Sequence, residues 1–217
     1  MLSVSDTTLR ATFSELIVAT TSQQYVIGTT MLFTNSMVTT IESIVAVKGD
    51  WGFDDSGGVD GYLHWTSLES WDRILKDNHD SRKVIQAAGD LYFDSFANEN
   101  VGVPFGMSCA RLEGRKYTDP NVTGGNTCLL GYPFDADVTN RRYIIDEELD
   151  TLNMYLVFPG LDRSRPEIPL PDNLTFRVEE GLIRYIHTPL AYVNAGCGLN
   201  LSITTQGHPP FQINKDL

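Results

Sequence analysis

Residues 174–193 read LTFRVEEGLIRYIHTPLAYV, two runs of alternating apolar and polar side chains on either side of the turn EEG. This period of two predicts half-buried strands, and Gly181 suits a tight turn that needs a positive φ. On the second strand His187 alternates with Tyr185 and Ile183, so these three side chains are predicted to share one face. The stretch therefore predicts an antiparallel hairpin that carries one of the chain's four histidines.

Strand patterns recur on both sides of a single strong helix pattern. Residues 141–158 predict a second hairpin, and residues 103–114 predict a short strand. The first third contains three β-branched runs, with the turn TNS at 34–36 between the last two. These runs are ATFSELIVAT at 11–20, YVIGTTMLF at 25–33 and MVTTIESIVAV at 37–47. A short strand at 62–65 and a short capped helix at 67–78 are predicted next, and 48–61, 114–140 and 159–173 are predicted loops.

The helix pattern lies in residues 80–100, DSRKVIQAAGDLYFDSFANEN. Asp80 or Ser81 could cap its first turn. Apolar side chains recur at helical spacing along one stripe, which predicts the buried face. The stripe consists of Val84, Ile85, Ala88, Leu91, Tyr92 and Phe96. A helix followed by an antiparallel sheet predicts an α+β fold with an apolar space between helix and sheet.

Composition narrows the classes of partner. The 217 residues carry a formal net charge of −12, with 16 basic and 28 acidic side chains. Nucleic acids and anionic membranes are bound through clustered Lys and Arg, so neither is expected as a partner. No apolar run approaches the roughly 20 residues that span a bilayer, and residues 1–10 lack the pattern of a secretory leader.

The cysteines and the N-glycosylation sequons indicate in which cellular compartment the protein could fold. Cys109 and Cys128 close a short loop, which suits a disulfide, and Cys197 would then be a free thiol. No Cys or His spacing typical of zinc is present, so no metal is expected. Asn-x-Ser/Thr sequons begin at Asn121 and Asn173, and also at Asn200. They matter only if the chain enters a secretory pathway.

Several runs resemble a fungal family of uncharacterised, often secreted proteins over roughly residues 10–190. The runs are ATFSELIV, YVIGTTMLF, IVAVKGDWGF, SRKVIQAAGDLYFDSF, VPFGMSCARLEG, NRRYIIDEE and FRVEEGLIRYIHT. That family resembles the nuclear-transport-factor-2-like superfamily, which includes the SnoaL-like polyketide cyclases. The resemblance implies an α+β cone, a curved antiparallel sheet wrapped round a long helix. It also implies three parts: residues 1–79 as a β-rich half resembling a truncated second copy, 80–195 as the cone, and 196–217 as a tail.

The chain departs from those families at three places. Helices that usually precede the ATFSELIV strand are missing, and a cysteine usual near Leu9 or Arg10 is replaced. SnoaL-like cyclases place an acid a few residues after the position of His187, where this chain reads TPLAYV. The acid–base residue of those cyclases therefore has no counterpart here. A weak internal repeat of three strands sets Glu42 opposite His187.

Three residues are candidates for acid–base chemistry. His187 could move protons near neutral pH, and the alternative is a buried histidine held by a hydrogen bond. Asp146 could act as a base or orient His187, and the alternative is a solvated turn. Glu113 lies two residues from Arg111 on a short strand, where the two could bind a polar substrate group or pair with each other.

The candidate binding residues are mostly aromatic. The resemblance places them around the pocket of the cone, although aromatic side chains on a helix stripe are often simply core. They are Tyr92, Phe96, Trp65, Tyr155 and Tyr185, with Arg111 as the polar member. Trp51 and Trp71 are interpreted as structural.

No dinucleotide, P-loop, serine-hydrolase or zinc-peptidase motif occurs, so a cofactor-free reaction is expected. The leading hypothesis is an enzyme of fungal specialised metabolism that cyclises, pericyclic reactions included, or isomerises an apolar small molecule. The first alternative is a secreted small-molecule-binding protein without turnover. The second is an interaction domain, and a homodimer is open in either case.

Overall fold

The computed structural model describes residues 2–19, 23–47, 50, 58–114, 116–129, 136–159 and 170–189. In this part of the chain ten strands form two sheets, accompanied by two short α-helices. The first four strands are β1 (Leu2–Asp6), β2 (Ala11–Ala19), β3 (Gln24–Thr34) and β4 (Met37–Val47). The helices are α1 (Gly58–Thr66) and α2 (Arg82–Asp94), with a 3-10 turn at Lys76–Asn78 between them. The remaining strands are β5 (Phe105–Glu113), β6 (Lys116–Tyr117), β7 (Thr139–Asp146), β8 (Thr151–Phe158), β9 (Leu170–Glu179) and β10 (Leu182–Thr188).

The first four strands form an antiparallel sheet in chain order, β1-β2-β3-β4. The three predicted strands of this region are confirmed, whereas β1 was not predicted. The predicted turn between β3 and β4 is also confirmed. Asn35 and Ser36 have φ of 50° and 62° there, the left-handed conformation of a two-residue hairpin turn.

The other six strands form a sheet in the order β6-β5-β10-β9-β8-β7. Both predicted hairpins are confirmed, β7 with β8 and β9 with β10. Glu180 and Gly181 make the second turn, with φ of 55° and 72°. β10 and β5 are parallel, and the other pairs are antiparallel. The strand β9 begins inside the predicted loop 159–173, so that prediction was wrong for residues 170–173.

A bulge in β10 changes which side chains share a face. The register with both neighbouring strands shifts between Ile183 and Tyr185. Ile183 therefore joins Ile186 in the core against α2, while Tyr185 and His187 point to the opposite side. The prediction that Ile183 shares a face with Tyr185 and His187 was wrong, because one extra residue reverses the alternation.

The main core lies between α2 and one face of the six-stranded sheet. The helix predicted within 80–100 is confirmed, and Ile85, Tyr92 and Phe96 of its predicted stripe are buried. Val84 and Leu91, which the stripe included, are more than a third exposed. Gly89 and Phe93, which it did not include, are buried instead. The helix meets an almost wholly apolar strand surface here, which explains why its buried side is displaced from the predicted stripe.

The opposite face of the six-stranded sheet is covered by the four-stranded sheet and α1. One cluster joins Val26 of β3, Tyr62 of α1 and Leu112 of β5. Another joins Val4 and Phe13 of the first sheet to Ile144 of β7. These clusters cross residue 79, so side chains from both predicted domains share cores. The boundaries at 79 and 195 stay predictions.

The predicted cone fold is wrong. The described chain is mostly β-sheet, its longest helix is the 13-residue α2, and it has two sheets rather than one curved sheet around a long helix. The N-terminal half is a four-stranded meander, not a truncated second copy of the C-terminal half. Glu42, which the weak repeat aligned with His187, pairs with Arg142 of β7.

Two local predictions between the sheets were wrong as well. Residues 62–65 belong to α1 rather than to a strand, and of 67–78 only Lys76–Asn78 is helical, as a 3-10 turn. The segment 67–75 instead begins with a turn and then runs beside the six-stranded sheet, where Ile74 N donates to the carbonyl of Glu148. Contacts of its side chains with the sheet, described below, override the local helical preference.

Adding one methyl group at Gly89 should destabilise the fold. A Cβ there would lie 2.3 Å from Leu152 Cδ2 and 2.7 Å from Met154 Sδ. Overpacking of this kind costs about 1–3 kcal/mol, which exceeds the roughly 1 kcal/mol gained by replacing glycine with alanine in a helix. We expect Gly89→Ala to lower the midpoint of urea unfolding. Gly102→Ala, where a Cβ meets nothing within 4 Å, is the control. Equal midpoints in both variants would contradict the packing argument.

Candidate functional site

His187 lies at the junction of the two sheets and is 1% exposed. Its Nδ1 is 3.1 Å from Glu15 Oε1, and its Nε2 is 2.5 Å from Glu69 Oε2. Both carboxylates are buried with it. The three residues come from β10, β2 and the segment 67–75, so the imidazole joins three parts of the chain. We call these three side chains the His187 triad.

The strand alternation and the ring of Trp71 hold the His187 triad in place. Glu15 occupies an inward position of β2, after Ala11 and Phe13. The Trp71 indole N–H donates to Glu69 Oε2 at 3.0 Å, and its ring packs edge-on against His187 with centroids 4.8 Å apart. Trp71, interpreted as structural from the sequence, therefore orients a partner of His187.

The electrostatics favour a charged imidazole. Burial alone lowers the pKa of His187, but the negative charges and hydrogen bonds of Glu69 and Glu15 outweigh burial and raise it to about 10. Burial and the same two carboxylates raise the pKa of Tyr62, which packs against the imidazole with centroids 5.8 Å apart. At neutral pH the His187 triad thus holds an imidazolium between two carboxylates. An imidazolium has no lone pair to accept a proton, so this state is suited to fastening the sheets rather than to general-base catalysis.

A second polar cluster lies on the opposite face of the six-stranded sheet, at the edge of the main core. Arg111 Nη1 donates to the Tyr92 hydroxyl at 2.6 Å, and its Nη2 lies 2.9 Å from Glu113 Oε2. The guanidinium also lies over the Tyr92 ring, 5.7 Å from its centroid. The structure therefore brings together three predicted site residues from α2 and β5.

Asp172 of β9 belongs to the same cluster. It is 4% exposed and accepts the backbone N–H of Asn173 at 2.7 Å. Burial, opposed by the hydrogen bond from Asn173, is the main cause that raises the pKa of its carboxyl to about 7; the charge of Glu113 also raises it and that of Arg111 lowers it. Thr188, which pairs with Glu113 across β10 and β5, has a buried hydroxyl without a partner among the described residues. We call Tyr92, Arg111, Glu113, Asp172 and Thr188 the Asp172 cluster.

The Asp172 cluster has acid–base capacity that the His187 triad lacks. A carboxyl with a pKa near 7 exists in both protonation states at neutral pH. The guanidinium beside it supplies a fixed positive charge. Glu113, about a quarter exposed, marks the side of the cluster nearest solvent.

The chain belongs to the family described as "Domain of unknown function (DUF8021)". The model of that family matches residues 78–190, slightly more than half of the chain. No curated protein matches the chain. The DUF8021 region contains every member of the Asp172 cluster, whereas Glu15 and Glu69 of the His187 triad precede it. The Asp172 cluster is therefore built within the DUF8021 region alone, and the triad needs the N-terminal sheet as well.

The remaining predicted site residues lie apart from each other. Asp146 caps the β7–β8 turn through the backbone N–H groups of Glu148 and Leu149, and accepts Ser5 N from β1. It does not orient His187, since Glu15 and Glu69 do so, and that part of the prediction was wrong. Its role as a base stays a prediction.

The aromatic candidates lie on both sides of the six-stranded sheet. Phe96 packs in the main core against Tyr92, with centroids 5.4 Å apart. Trp65 stacks on Tyr117 at 5.0 Å, and Tyr185 lies 5.7 Å from Trp71 beside the His187 triad. The structure therefore does not gather them around one pocket.

Tyr155 lines a cleft between the two sheets, where Arg142 stacks 4.3 Å above its ring and pairs with Glu42. The cleft is small, with a free cavity volume of about 10 Å³, which is room for about one water molecule. The buried hydroxyl of Thr30 lines it without a partner among the described residues.

Sequence reasoning missed Glu15, Glu69 and Asp172. A signal existed for Glu15, which falls in the inward register of ATFSELIV, where a charged side chain must find a buried partner. No such signal marked Glu69, placed in a predicted helix, or Asp172, placed in a proline-rich loop.

No metal-binding group of three His, Cys, Asp or Glu side chains occurs among the described residues, and no helix there is long and apolar enough to cross a bilayer. Trp51 and Cys197 lie outside these residues.

The pH dependence of unfolding should report the charge on His187. A pKa raised to about 10 in the folded protein means that the triad's stabilisation is complete below about pH 6.5 and is lost as the pH rises to about 10. We expect the wild-type urea midpoint to fall across this window. His187→Gln should remove that part of the slope and destabilise the fold by about 3–5 kcal/mol, since two buried carboxylates lose their cation. Equal slopes in His187→Gln and in the control His64→Gln, at an exposed histidine, would refute the charged triad.

Proposed function

We propose that the protein is a cofactor-independent enzyme that moves a proton within a small, largely apolar molecule, as an isomerase or a cyclase, at the Asp172 cluster. The observation that carries this proposal is a buried carboxyl beside a guanidinium–tyrosine pair, at the edge of an aromatic core. Fungal specialised metabolism, implied by the family resemblance, is the proposed source of the substrate.

The chemistry assigns one step to each group. As a carboxylate, Asp172 would take a proton from a C–H bond next to an electron-withdrawing group and return it at another carbon. Arg111 would stabilise the negative charge that develops on the substrate oxygen. The Tyr92 hydroxyl already accepts from Arg111, and bonding to a cation makes a hydroxyl a stronger donor.

The surroundings suit an apolar substrate. Tyr92 packs edge-on against Phe96 and Phe105, with centroids 5.4 and 6.3 Å apart. Aromatic walls bind apolar groups by burying area, and a few polar groups then fix the orientation. The polar members lie near the ends of β5 and β10 and near the start of β9, so the charged chemistry would occur at one end of the apolar core.

A second candidate is a secreted protein that binds a small molecule without turnover. Two observations favour it: the Cys109–Cys128 disulfide, typical of an oxidising compartment, and the cleft between the sheets. In that cleft Thr30 offers a buried hydroxyl beside the Arg142–Tyr155 stack. The cleft has room for about one water molecule, so a ligand there would have to displace the Arg142–Tyr155 stack.

Turnover should depend on Asp172 and not on an exposed carboxyl. The purified protein is incubated with a fungal metabolite extract, with liquid chromatography to detect conversion and native mass spectrometry to detect capture. We expect one compound to convert into an isomer of equal mass, with a rate that rises with pH through about 7 because the base is the carboxylate. Asp172→Asn should lower the rate at least about 100-fold, the usual contribution of a general base.

Asp60→Asn, an exposed carboxyl on α1, is the matched control and should keep the full rate. Unchanged conversion by Asp172→Asn would contradict the proposed base. A ligand captured at unchanged mass by all three proteins, with no conversion, would favour the binding protein instead. Tyr155→Ala would then test whether the ligand occupies the cleft.

A further inference from the structure

Two of the chain's three sequons lie in very different environments, one exposed and one buried. Asn121-Val122-Thr123 lies in the loop between β6 and β7, and Asn173-Leu174-Thr175 lies in β9. Both have the acceptor sequence for N-linked glycans, which the sequence alone treats as equal. The third, at Asn200, lies outside the described residues.

Asn121 stands at the tip of an ordered turn. The turn spans Asp119 to Val122, whose N–H donates to the Asp119 carbonyl at 3.0 Å, with Pro120 in the position that favours a fixed φ. The Asp119 carboxylate accepts the N–H groups of Thr123 and Gly124, which closes the base of the turn. Asn121 is exposed, so a bulky polar group on its amide would extend into solvent.

The base of the same loop carries independent evidence for the compartment. Cys128 is bonded to Cys109, and Thr127 N donates to the Cys109 carbonyl at 2.8 Å. Disulfides form and persist in the oxidising secretory pathway, where N-linked glycans are also transferred. The sequon lies between the two bonded cysteines, so the two modifications would occur on one short segment in one compartment.

Asn173 has the opposite environment. It is 1% exposed, and its side-chain amide donates to Asn153 Oδ1 at 3.1 Å while its oxygen accepts from Asn153 Nδ2 at 2.8 Å. The hydroxyl of its own sequon, on Thr175, also accepts from Asn153. A glycan on Asn173 would break this paired-amide contact and would have no space at the interface between the sheets.

We propose that Asn121 is an N-glycosylation site of the secreted protein, and that Asn173 is left unmodified in every correctly folded molecule. The donor is an oligosaccharide linked to a lipid diphosphate. The Asn121 amide nitrogen forms a bond to the anomeric carbon, the bond from that carbon to the diphosphate oxygen breaks, and the amide loses one proton as the lipid diphosphate leaves. This inference is independent of the proposed enzyme activity.

The folded loop also predicts the order of events. The Thr123 hydroxyl donates to Asp119 Oδ1 at 2.9 Å once the turn has formed. A sequon needs that hydroxyl beside the acceptor amide, so the glycan would be transferred before the turn closes. Transfer to Asn121 would then precede the Cys109–Cys128 bond at the base of the loop.

Site-resolved glycan mapping tests the assignment. The full chain is secreted from yeast behind a cleavable leader and treated with peptide N-glycosidase, which converts each occupied Asn to Asp for peptide mass spectrometry. We expect conversion at Asn121 in most secreted molecules and none at Asn173. Thr123→Ala should abolish conversion at Asn121, whereas Thr123→Ser, which keeps a hydroxyl, should retain it.

Three results would overturn the proposal. One is an unmodified Asn121 in secreted protein whose Cys109–Cys128 bond has formed. Another is a glycan on Asn173 in secreted protein with the wild-type urea midpoint. The third is full conversion at Asn121 in Thr123→Ala, which would mean that the modification does not use the sequon.

Discussion

The interaction on which the arrangement of the two sheets depends is the imidazolium of His187 between the carboxylates of Glu15 and Glu69. Each ion by itself would cost several kcal/mol to bury, so the three must come together or the interface does not close. Hydrophobic clusters on either side tolerate small shifts, whereas the hydrogen bonds fix the position of β2 and of the segment 67–75 against β10. The apolar core thus supplies most of the burial, and the triad specifies one relative placement.

The two faces of the six-stranded sheet differ in the charged groups that they hold. The face toward the N-terminal sheet buries the His187 triad, in which the imidazole contacts both carboxylates. The face toward α2 is apolar until the strand ends, where Arg111 pairs with Glu113 and the charges of both act on Asp172. There burial and the charge of Glu113 make the Asp172 carboxyl titratable in the neutral range, whereas the imidazolium of His187 keeps its proton there. This contrast moves the proposed chemistry from His187 to Asp172.

Local patterns predicted the strands and turns well, because alternation, β-branched residues and turn residues act over a few positions. The hairpin turn at Glu180 and Gly181, the helix α2 and the strands β2 to β4 all follow from such patterns. The arrangement of the strands into two sheets does not follow from local patterns. The cone was expected from a family resemblance, and that expectation was wrong. The segment 67–75 failed for a physical reason: its side chains Glu69 and Trp71 gain more from His187 than from a helical turn.

The site was predictable only where a polar side chain occupies an apolar, inward-facing position of a predicted strand. His187 on an apolar strand and Glu15 in an inward register each indicate a buried polar contact. The sequence around them does not show that they contact each other, because 172 positions separate them. The bulge in β10 shows the same limit, since one inserted residue moves Ile183 to the other face while the sequence still alternates. Asp172 is the extreme case. Its chemistry arises from burial and from Glu113 on another strand, so no property of the segment around it signals a titratable group.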